Sequence, residues 1–333
     1  MLVIYGAGAV GLVVGARLAR AGLPVLLVTR RPEAAQRINE AGIRIEDPAT
    51  GLAFEQRVAV VCGIEAAAER IEAGPVLFCM RASDTAAAAR ALSAVARQAT
   101  VASLQNNVDN ENELAADFSR VIGGCVRQTC TRTGDHRALA LGDGRIVVGL
   151  WPSGGSPAVR ELAEALRRAG YDAPVSTRIV EDKWLKLCVN LMSAPNALIR
   201  REDHATCAFV ELKARLLEEA RAILRAARIS ARSCDGRDRS LDQEIAHQRE
   251  SLAAGTSARE LPVYNQVWAA LRSGGPVEAD RYHRRMLALA AAHGVPAPQN
   301  ARVLEALERA VREGLGPESL AAADLLVSGG TPT

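Results

Sequence analysis

Short apolar runs alternate with helical repeats through the first 180 residues. The apolar runs predict strands at 2–6, 24–29, 58–62, 76–80, 100–105, 120–127, 145–151 and 173–178. A spacing of three to four residues between apolar positions predicts helices at 10–21, 85–97 and 157–169. Strands that alternate with helices are typical of a parallel sheet with helices on both faces. The pattern therefore predicts an α/β domain of the doubly wound type.

Beyond residue 178 the strand signals stop and the helical period dominates. The predicted helices cover 180–201, 207–228, 239–254, 277–293 and 300–313. A chain of 333 residues is long enough for two domains. We therefore expect an α/β domain over 1–177 and an all-helical domain over 178–333.

Composition narrows the class of protein. About half of the residues are hydrophobic, and the basic residues behind the net charge of +3 are dispersed, unlike the basic patch of a nucleic-acid-binding protein. The chain contains no run of 18 uncharged apolar residues, so no membrane span is predicted. The seven cysteines form no CxxC pair and are expected as free thiols of a cytoplasmic protein. Cys125 and Cys130 have no histidine nearby in sequence, so no metal site is expected.

A glycine-rich turn follows the first predicted strand and opens the first predicted helix. Its first glycine permits a tight turn, its second lets the backbone approach a pyrophosphate, and its third lets helix and strand pack closely. The alternative is a purely structural turn. The strand–turn–helix context favours a dinucleotide site, built from Gly6, Ala7, Gly8, Ala9, Val10 and Gly11.

The end of the second predicted strand indicates which dinucleotide binds. NAD sites usually carry an acidic residue there, whereas this chain has Thr29-Arg30-Arg31. Guanidinium groups pair well with a 2′-phosphate, and Arg81 after the fourth predicted strand can reach the same group. The alternative is that one of the two adjacent arginines is simply solvated. The sequence therefore predicts NADPH/NADP⁺ as cofactor.

Four segments together resemble one family. They are IYGAGAVGLVVGARLARAGLPVLLVTR at the start, SLQNN at 103–107, WLKLCVNLMSAPNAL at 184–198 and GPVEADRYHRRMLALAAAHGVPAPQN at 275–300. The chain is similar to the ketopantoate reductases over most of its length. The resemblance implies a Rossmann-type NADP-binding domain followed by a helical substrate and catalytic domain like that of 6-phosphogluconate dehydrogenase. It also implies the cytoplasmic, NADPH-dependent reduction of 2-dehydropantoate to pantoate in pantothenate biosynthesis.

The resemblance also implies roles for individual residues. Lys186 matches the lysine that gives its proton to the ketone oxygen, and Glu278 matches the glutamate that holds the substrate and the lysine. Asn106 matches an asparagine on the substrate or nicotinamide side. Asn190 matches the first asparagine of the lysine helix.

Several positions depart from the family pattern. Asn107 stands where the family has glycine, and Ala194 stands where many members have a second asparagine. The next amide after Ala194 is Asn196, which is a further candidate for substrate binding. Asn265 takes the place of a serine that bonds the substrate. These changes do not alter the expected reaction class. They leave open whether the substrate is a different small 2-oxo acid.

The use of lysine in this chain supports ketone reduction independently of the resemblance. Only three of the 41 basic residues are lysine, namely Lys183, Lys186 and Lys213. Ketone reduction needs a proton donor, and a partly desolvated lysine can serve, whereas arginine does not release a proton. Lys186 and Asn190 share one helix face. The alternative for Lys186 is a surface lysine, which is our interpretation of Lys183.

The remaining candidates suggest no second chemistry. Glu278 has the alternative role of a first-turn acid that the helix dipole favours. The five histidines show no metal spacing and are interpreted as structural or exposed. A non-catalytic NADP(H)-binding sensor is the alternative from another functional class, although it would be expected to lose the proton donor. The oligomeric state stays open, with a homodimer as one alternative.

Overall fold

A computed structural model describes residues 1–71, 74–253 and 265–327. The chain forms two compact units, Met1–Lys183 and Trp184–Thr333. The boundary expected after residue 177 lies a few residues before this division. The difference arises because the first turns of the helix that begins at Ile179 pack on the sheet of the first unit.

Eleven strands are present in the described part of the first unit. They are β1 (Leu2–Tyr5), β2 (Val25–Thr29), β3 (Ile43–Glu46), β4 (Ala53–Gln56), β5 (Ala59–Cys62), β6 (Val76–Phe78), β7 (Val101–Ser103), β8 (Val121–Val126), β9 (Cys130–Arg132), β10 (Arg137–Ala140) and β11 (Ile146–Leu150). Seven strands form the main sheet in the order β11-β8-β7-β6-β1-β2-β5. All neighbours in this sheet are parallel except β11, which runs antiparallel to β8.

Helices α1 to α6 belong to the first unit. They are α1 (Ala9–Arg20), α2 (Pro32–Ala41), α3 (Ala68–Ile71), α4 (Thr85–Ala96), α5 (Asn110–Ala115) and α6 (Pro157–Arg168). Helix α7 (Ile179–Asn190) begins in the first unit and ends in the second. The second unit continues with α8 (Ser193–Leu198), α9 (Cys207–Ala226), α10 (Leu241–Ala253), α11 (Gln266–Ser273), α12 (Ala279–His293), α13 (Pro298–Glu313) and α14 (Ala322–Leu325).

The predicted fold class is confirmed, because a largely parallel α/β unit precedes a helical one. Consecutive residues of β1 point to opposite faces of the sheet, and both faces are buried. Ile4 joins the core under α1 and α6, whereas Val3 joins the core under α3 and α4. Strands buried on both faces have apolar side chains at consecutive positions, and this pattern predicted them from the sequence.

Several features differ from the sequence-based prediction, which also lacked helices α2 and α11. A second sheet, in the order β4-β3-β10-β9, lies over α1 and was not predicted, because its strands are only three or four residues long and carry charged residues. The segment 173–178 forms no strand and makes one isolated bridge, between Val175 and Val148 of β11. The predicted helix 180–201 is interrupted between Asn190 and Ser193, and residue 254 of another predicted helix lies outside the described residues.

Two histidines illustrate the structural roles expected for this residue type. His283 on α12 is fully buried, and its Nδ1 lies 3.0 Å from Oδ1 of Asn300. Burial lowers the pKa of His283 to about 4, so the ring is neutral near pH 7. His204 stacks on Phe209 with ring centroids 4.3 Å apart. Both rings therefore serve the packing of the helical unit.

Glycines on β8 and β11 let helix α7 reach the main sheet. A Cβ at Gly123 would lie 2.9 Å from Cγ1 of Ile179. A Cβ at Gly149 would lie 2.8 Å from Cβ of Ile179 and would overlap the carbonyl oxygen of Ser176. The first residue of α7 therefore packs directly against strand backbone. Ser176 also donates a hydrogen bond of 2.6 Å to Asp182 and so holds the same helix.

This packing predicts a strong effect of one methyl group. Gly149→Ala should lower the free energy of unfolding by about 1–3 kcal/mol, because the added Cβ meets backbone that cannot rotate away. Gly155→Ala is the control: it lies in the following loop with no atom within 4 Å of the added Cβ, and should change stability by less than about 0.5 kcal/mol. Urea unfolding of both variants measures the difference. Equal stabilities would mean that α7 does not depend on this contact.

Candidate active site

The candidate site residues of the first unit lie where parallel strands end at one edge of the main sheet. The chain leaves β1 toward β2 and β5 and then returns to β6 on the other side of β1. Ligands of open α/β sheets bind at such a reversal, beyond the carboxyl ends of the strands. The glycine turn follows β1, residues 79–81 follow β6, and the segment 104–107 follows β7.

The glycine turn has no room for side chains at its first and third glycines. Gly6 has φ +117°, and a Cβ there would lie 2.6 Å from the backbone nitrogen of Met80. A Cβ at Gly11 would overlap the carbonyl oxygen of Gly6, and one at Gly8 would lie 3.2 Å from the carbonyl oxygen of Cys79. The bare backbone around Gly8 is the kind of cradle that a pyrophosphate occupies.

The start of α1 is electrostatically suited to phosphate. Gly8 is its N-cap residue and has no side chain to bond the first amides. The first turn contains no acidic residue. The positive end of the helix dipole and its free N–H groups therefore remain available to an anion. Burial raises the pKa of the Cys79 thiol behind the turn, so no thiolate opposes that anion.

The three arginines predicted to bind the cofactor do not all lie together. Arg30 is 3.3 Å from the carboxylate of Asp84, and Arg81 is 3.6 Å from the same carboxylate. Arg31 instead pairs at 2.7 Å with Asp135, in the turn between β9 and β10. The structure therefore brings Arg30 and Arg81 to one place and directs Arg31 toward the second sheet.

Asp84 is a candidate site residue that the sequence analysis missed. The acidic residue of an NAD site usually follows β2 directly, whereas Asp84 follows β6 and reaches the same corner through the tertiary fold. Its carboxylate orients the guanidinium groups of Arg30 and Arg81 and leaves the group of three with a net charge of +1. A carboxylate here can also accept hydrogen bonds from ribose hydroxyls. Both NADPH and NADH are therefore chemically compatible with this corner.

Gln105 fixes the segment after β7. Its side-chain Nε2 donates to Oγ1 of Thr85 at 2.8 Å and to the carbonyl oxygens of Met80 and Arg81 at 3.1 and 3.3 Å. One buried amide therefore ties the end of β7 to the end of β6. No pattern in the sequence indicates this role, because a buried glutamine can be distinguished from a surface one only by its neighbours.

Asn106 and Asn107 complete the turn in different ways. Asn107 adopts φ +86°, a conformation that glycine and asparagine accept better than other residues, so the departure from glycine preserves the turn. Asn110 donates a 2.5 Å hydrogen bond to the carbonyl oxygen of Asn106. The half-buried side-chain amide of Asn106 has no hydrogen-bond partner within residues 1–71, 74–253 and 265–327. The backbone of this turn is therefore fixed, and the side-chain amide of Asn106 is available to a ligand.

The interpretation of Lys183 as a surface residue is wrong. Its side chain is 3% exposed and forms an ion pair with Glu111, which is 0% exposed. Its ammonium group also lies 3.4 Å from the carbonyl oxygen of Gln105 and 3.5 Å from that of Gly124. Helical periodicity could not show this, because α7 packs on the sheet at its start and has few exposed positions there.

Lys186 and Asn190 lie further along α7. Lys186 is half-buried and Asn190 follows one helical turn later on the same face. Between them Cys188 is fully buried, and burial raises the pKa of its thiol to about 12. The helix therefore presents one amine and one amide on a face whose opposite side is apolar.

The other predicted site residues lie in the second unit. Ala194 is fully buried, and the side-chain oxygen of Asn196 is a buried atom without a hydrogen-bond partner in the described chain. Asn265 caps α11: it accepts from the backbone N–H of Trp268 at 2.8 Å and donates to the carbonyl oxygen of Ser193 at 3.0 Å. Glu278 is half-buried at the start of α12.

The described residues contain no group of three or more histidine, cysteine or acidic side chains placed to hold a metal ion. No helix within the described ranges is long and apolar enough to cross a membrane.

Two family models match the sequence. The family described as ketopantoate reductase PanE/ApbA matches residues 2–153, and the one described as ketopantoate reductase PanE/ApbA C terminal matches residues 178–310. A 2-dehydropantoate 2-reductase of Halobacterium salinarum is 26% identical over 317 residues, which cover 94% of this chain and 99% of that protein. One from Pyrococcus horikoshii is 28% identical over 217 residues, covering 63% and 69% respectively.

Solved structures agree with the sequence comparison. A PanE/ApbA family ketopantoate reductase from Ralstonia eutropha has a TM-score of 0.76 and 25% identity, covering 94% of this chain and 99% of its own. A D-mandelate dehydrogenase solved with NADH and anilino(oxo)acetate has a TM-score of 0.76 and 19% identity over the same shares, a likeness of fold alone. The chain therefore belongs to the ketopantoate reductase family, a family of NAD(P)-dependent reductases of 2-oxo acids.

Proposed function

We propose that this protein reduces 2-dehydropantoate to pantoate with NADPH, as a step of pantothenate biosynthesis. The observation that carries the proposal is the pair of Lys186 and Asn190 on one face of α7, in a member of a 2-oxo acid reductase family. A lysine retained in a chain that otherwise uses arginine suits a role that requires proton release.

The residues of the chain supply binding and proton transfer. A bound nicotinamide cofactor provides the hydride. As hydride reaches the carbonyl carbon, negative charge develops on the ketone oxygen, and the ammonium group of Lys186 gives its proton to that oxygen. Glu278 holds the substrate and Lys186, which is the role that the family resemblance implies for it. The backbone around Gly8 and the first amides of α1 hold the pyrophosphate.

Amide groups orient the substrate. Asn106 offers a side-chain amide on a fixed turn, and Asn190 offers a second side-chain amide one helical turn from Lys186. Asn196 has a buried side-chain oxygen without a partner in the described chain, so it can accept a hydrogen bond from a hydroxyl group. Asn265 is the weakest of the substrate candidates, because both ends of its amide are already bonded.

A reductase of a different 2-oxo acid is the second candidate. The supporting observation is Ala194, which is buried and offers no polar atom at a position where many relatives have asparagine. A substrate with an apolar tail would be favoured by that change. A non-catalytic sensor is less well supported, because Lys186 and Glu278 are both retained.

The first prediction here distinguishes the two candidate functions. We expect kcat/KM for 2-dehydropantoate to exceed that for 2-oxoisovalerate, which lacks the hydroxyl, by about tenfold or more, because unmatched polar groups penalise the analogue. The assay follows NADPH absorbance with both acids and with a 2-oxo acid that has a bulky apolar tail. Preference for the apolar acid would favour the second candidate, and no turnover of any acid would contradict the proposed function.

The second prediction concerns the proton donor. Lys186→Met should lower kcat by about 10²–10⁴-fold, the usual contribution of a positioned general acid, while cofactor binding measured by fluorescence persists. Lys213→Met is the matched control. Lys213 is a partly buried lysine on α9 whose ammonium lies 4.4 Å from the Phe209 ring centroid, and it has no assigned part in the reaction. An active Lys186→Met enzyme would exclude the proposed proton transfer.

The third prediction concerns the cofactor. Wild-type protein should prefer NADPH over NADH by at least about tenfold, or about 1.4 kcal/mol. Arg30→Ala should remove most of that preference by raising KM for NADPH. Arg31→Ala is the matched control and should have a small effect, because Arg31 pairs with Asp135. Equal use of both cofactors by the wild type would mean that Asp84 dominates this corner.

A further inference from the structure

We propose that the buried Lys183–Glu111 ion pair positions the Asn106 turn for the reaction, so that Lys183 is a positioning residue. This inference rests on the proposed function for the role of Asn106. It assigns to Lys183 a task distinct from that of Lys186, which lies three residues further along the same helix.

The contacts of the ammonium group carry the inference. Its strongest partner is the carboxylate of Glu111 in the first turn of α5, and its next is the carbonyl oxygen of Gln105 at 3.4 Å. Gln105 and Glu111 are therefore the two ends of the segment that contains Asn106. A single charged group on α7 thus bridges both ends of this turn, and the third acceptor, Gly124, belongs to β8.

Burial makes it costly to remove only one of the two charged groups of the ion pair. Both side chains are almost completely removed from solvent, and the second carboxylate oxygen of Glu111 has no hydrogen-bond partner among the described residues. Burial raises the pKa of Glu111, and the neighbouring ammonium opposes that effect. A buried ion pair is weak as a source of stability, because desolvation offsets the attraction. Its retention here is therefore better explained by geometry.

The geometry suits positioning more than support of the fold. The side chain of Gln105 already ties the turn to the end of β6. The backbone carbonyl oxygen of the same residue faces Lys183. The turn is thereby held from two directions, by β6 and by α7.

The experiment replaces the pair by apolar residues of similar size. The double variant Lys183→Met/Glu111→Leu leaves no unpaired buried charge and should unfold within a few degrees of the wild type. Hydrogen–deuterium exchange of amides 104–111 should be at least about tenfold faster than in the wild type, while exchange in β11 stays the same. The kcat should fall by about tenfold or more with KM for the cofactor within about threefold.

Controls separate this proposal from the proposed function. Lys213→Met should leave exchange in 104–111 unchanged. Unchanged exchange in this segment of the double variant would overturn the positioning role, and so would a wild-type kcat in that variant. If the wild type itself reduces no 2-oxo acid, the proposed function fails, and the exchange measurement still decides whether Lys183 positions the turn.

A second variant covers the case in which the double variant does not fold. Lys183→Arg keeps the charge, but a planar guanidinium cannot reproduce the contacts of a compact ammonium with one carboxylate and two carbonyl oxygens. We expect exchange in 104–111 to be at least about threefold faster in this variant. Wild-type exchange there would overturn the proposal.

Discussion

The close approach of α1 to the end of β1 is the constraint on which the cofactor half of the site depends. Gly11 packs against the carbonyl oxygen of Gly6, and Gly6 itself turns against the backbone after β6. Any side chain at these two positions would push the helix away from the sheet. The N-terminus of α1 would then no longer point across the carboxyl ends of the strands, where a dinucleotide phosphate is bound.

Helix α7 carries residues on which both proposals depend. Its first residue rests on the glycines of β8 and β11, its second turn places Lys183 among the carbonyl oxygens of the first unit, and its last turns carry Lys186 and Asn190. The helix is unbroken from Ile179 to Asn190. This continuity explains why the division between the compact units falls inside a helix and not in a linker.

The three lysines occupy three different environments in a chain whose other cations are arginines. Lys183 is buried with a carboxylate, Lys186 is half-buried on the proposed catalytic face, and Lys213 lies over the ring of Phe209, where burial lowers its pKa to about 8. An ammonium is compact and can lose a proton, whereas a guanidinium is larger and planar and does not release one. The choice of lysine at these positions therefore has a physical reason.

The sequence by itself determined the α/β unit, the helical unit and the glycine turn, because both faces of the main sheet are buried and its strands read as apolar runs. It also located Lys186 and Asn190, because their relation is local to one helix. Only the tertiary structure decided that Asp84 joins Arg30, that Arg31 turns to Asp135, and that Lys183 meets Glu111. Those partners are far apart along the chain, and a charged residue has the same local pattern whether water or another charge surrounds it.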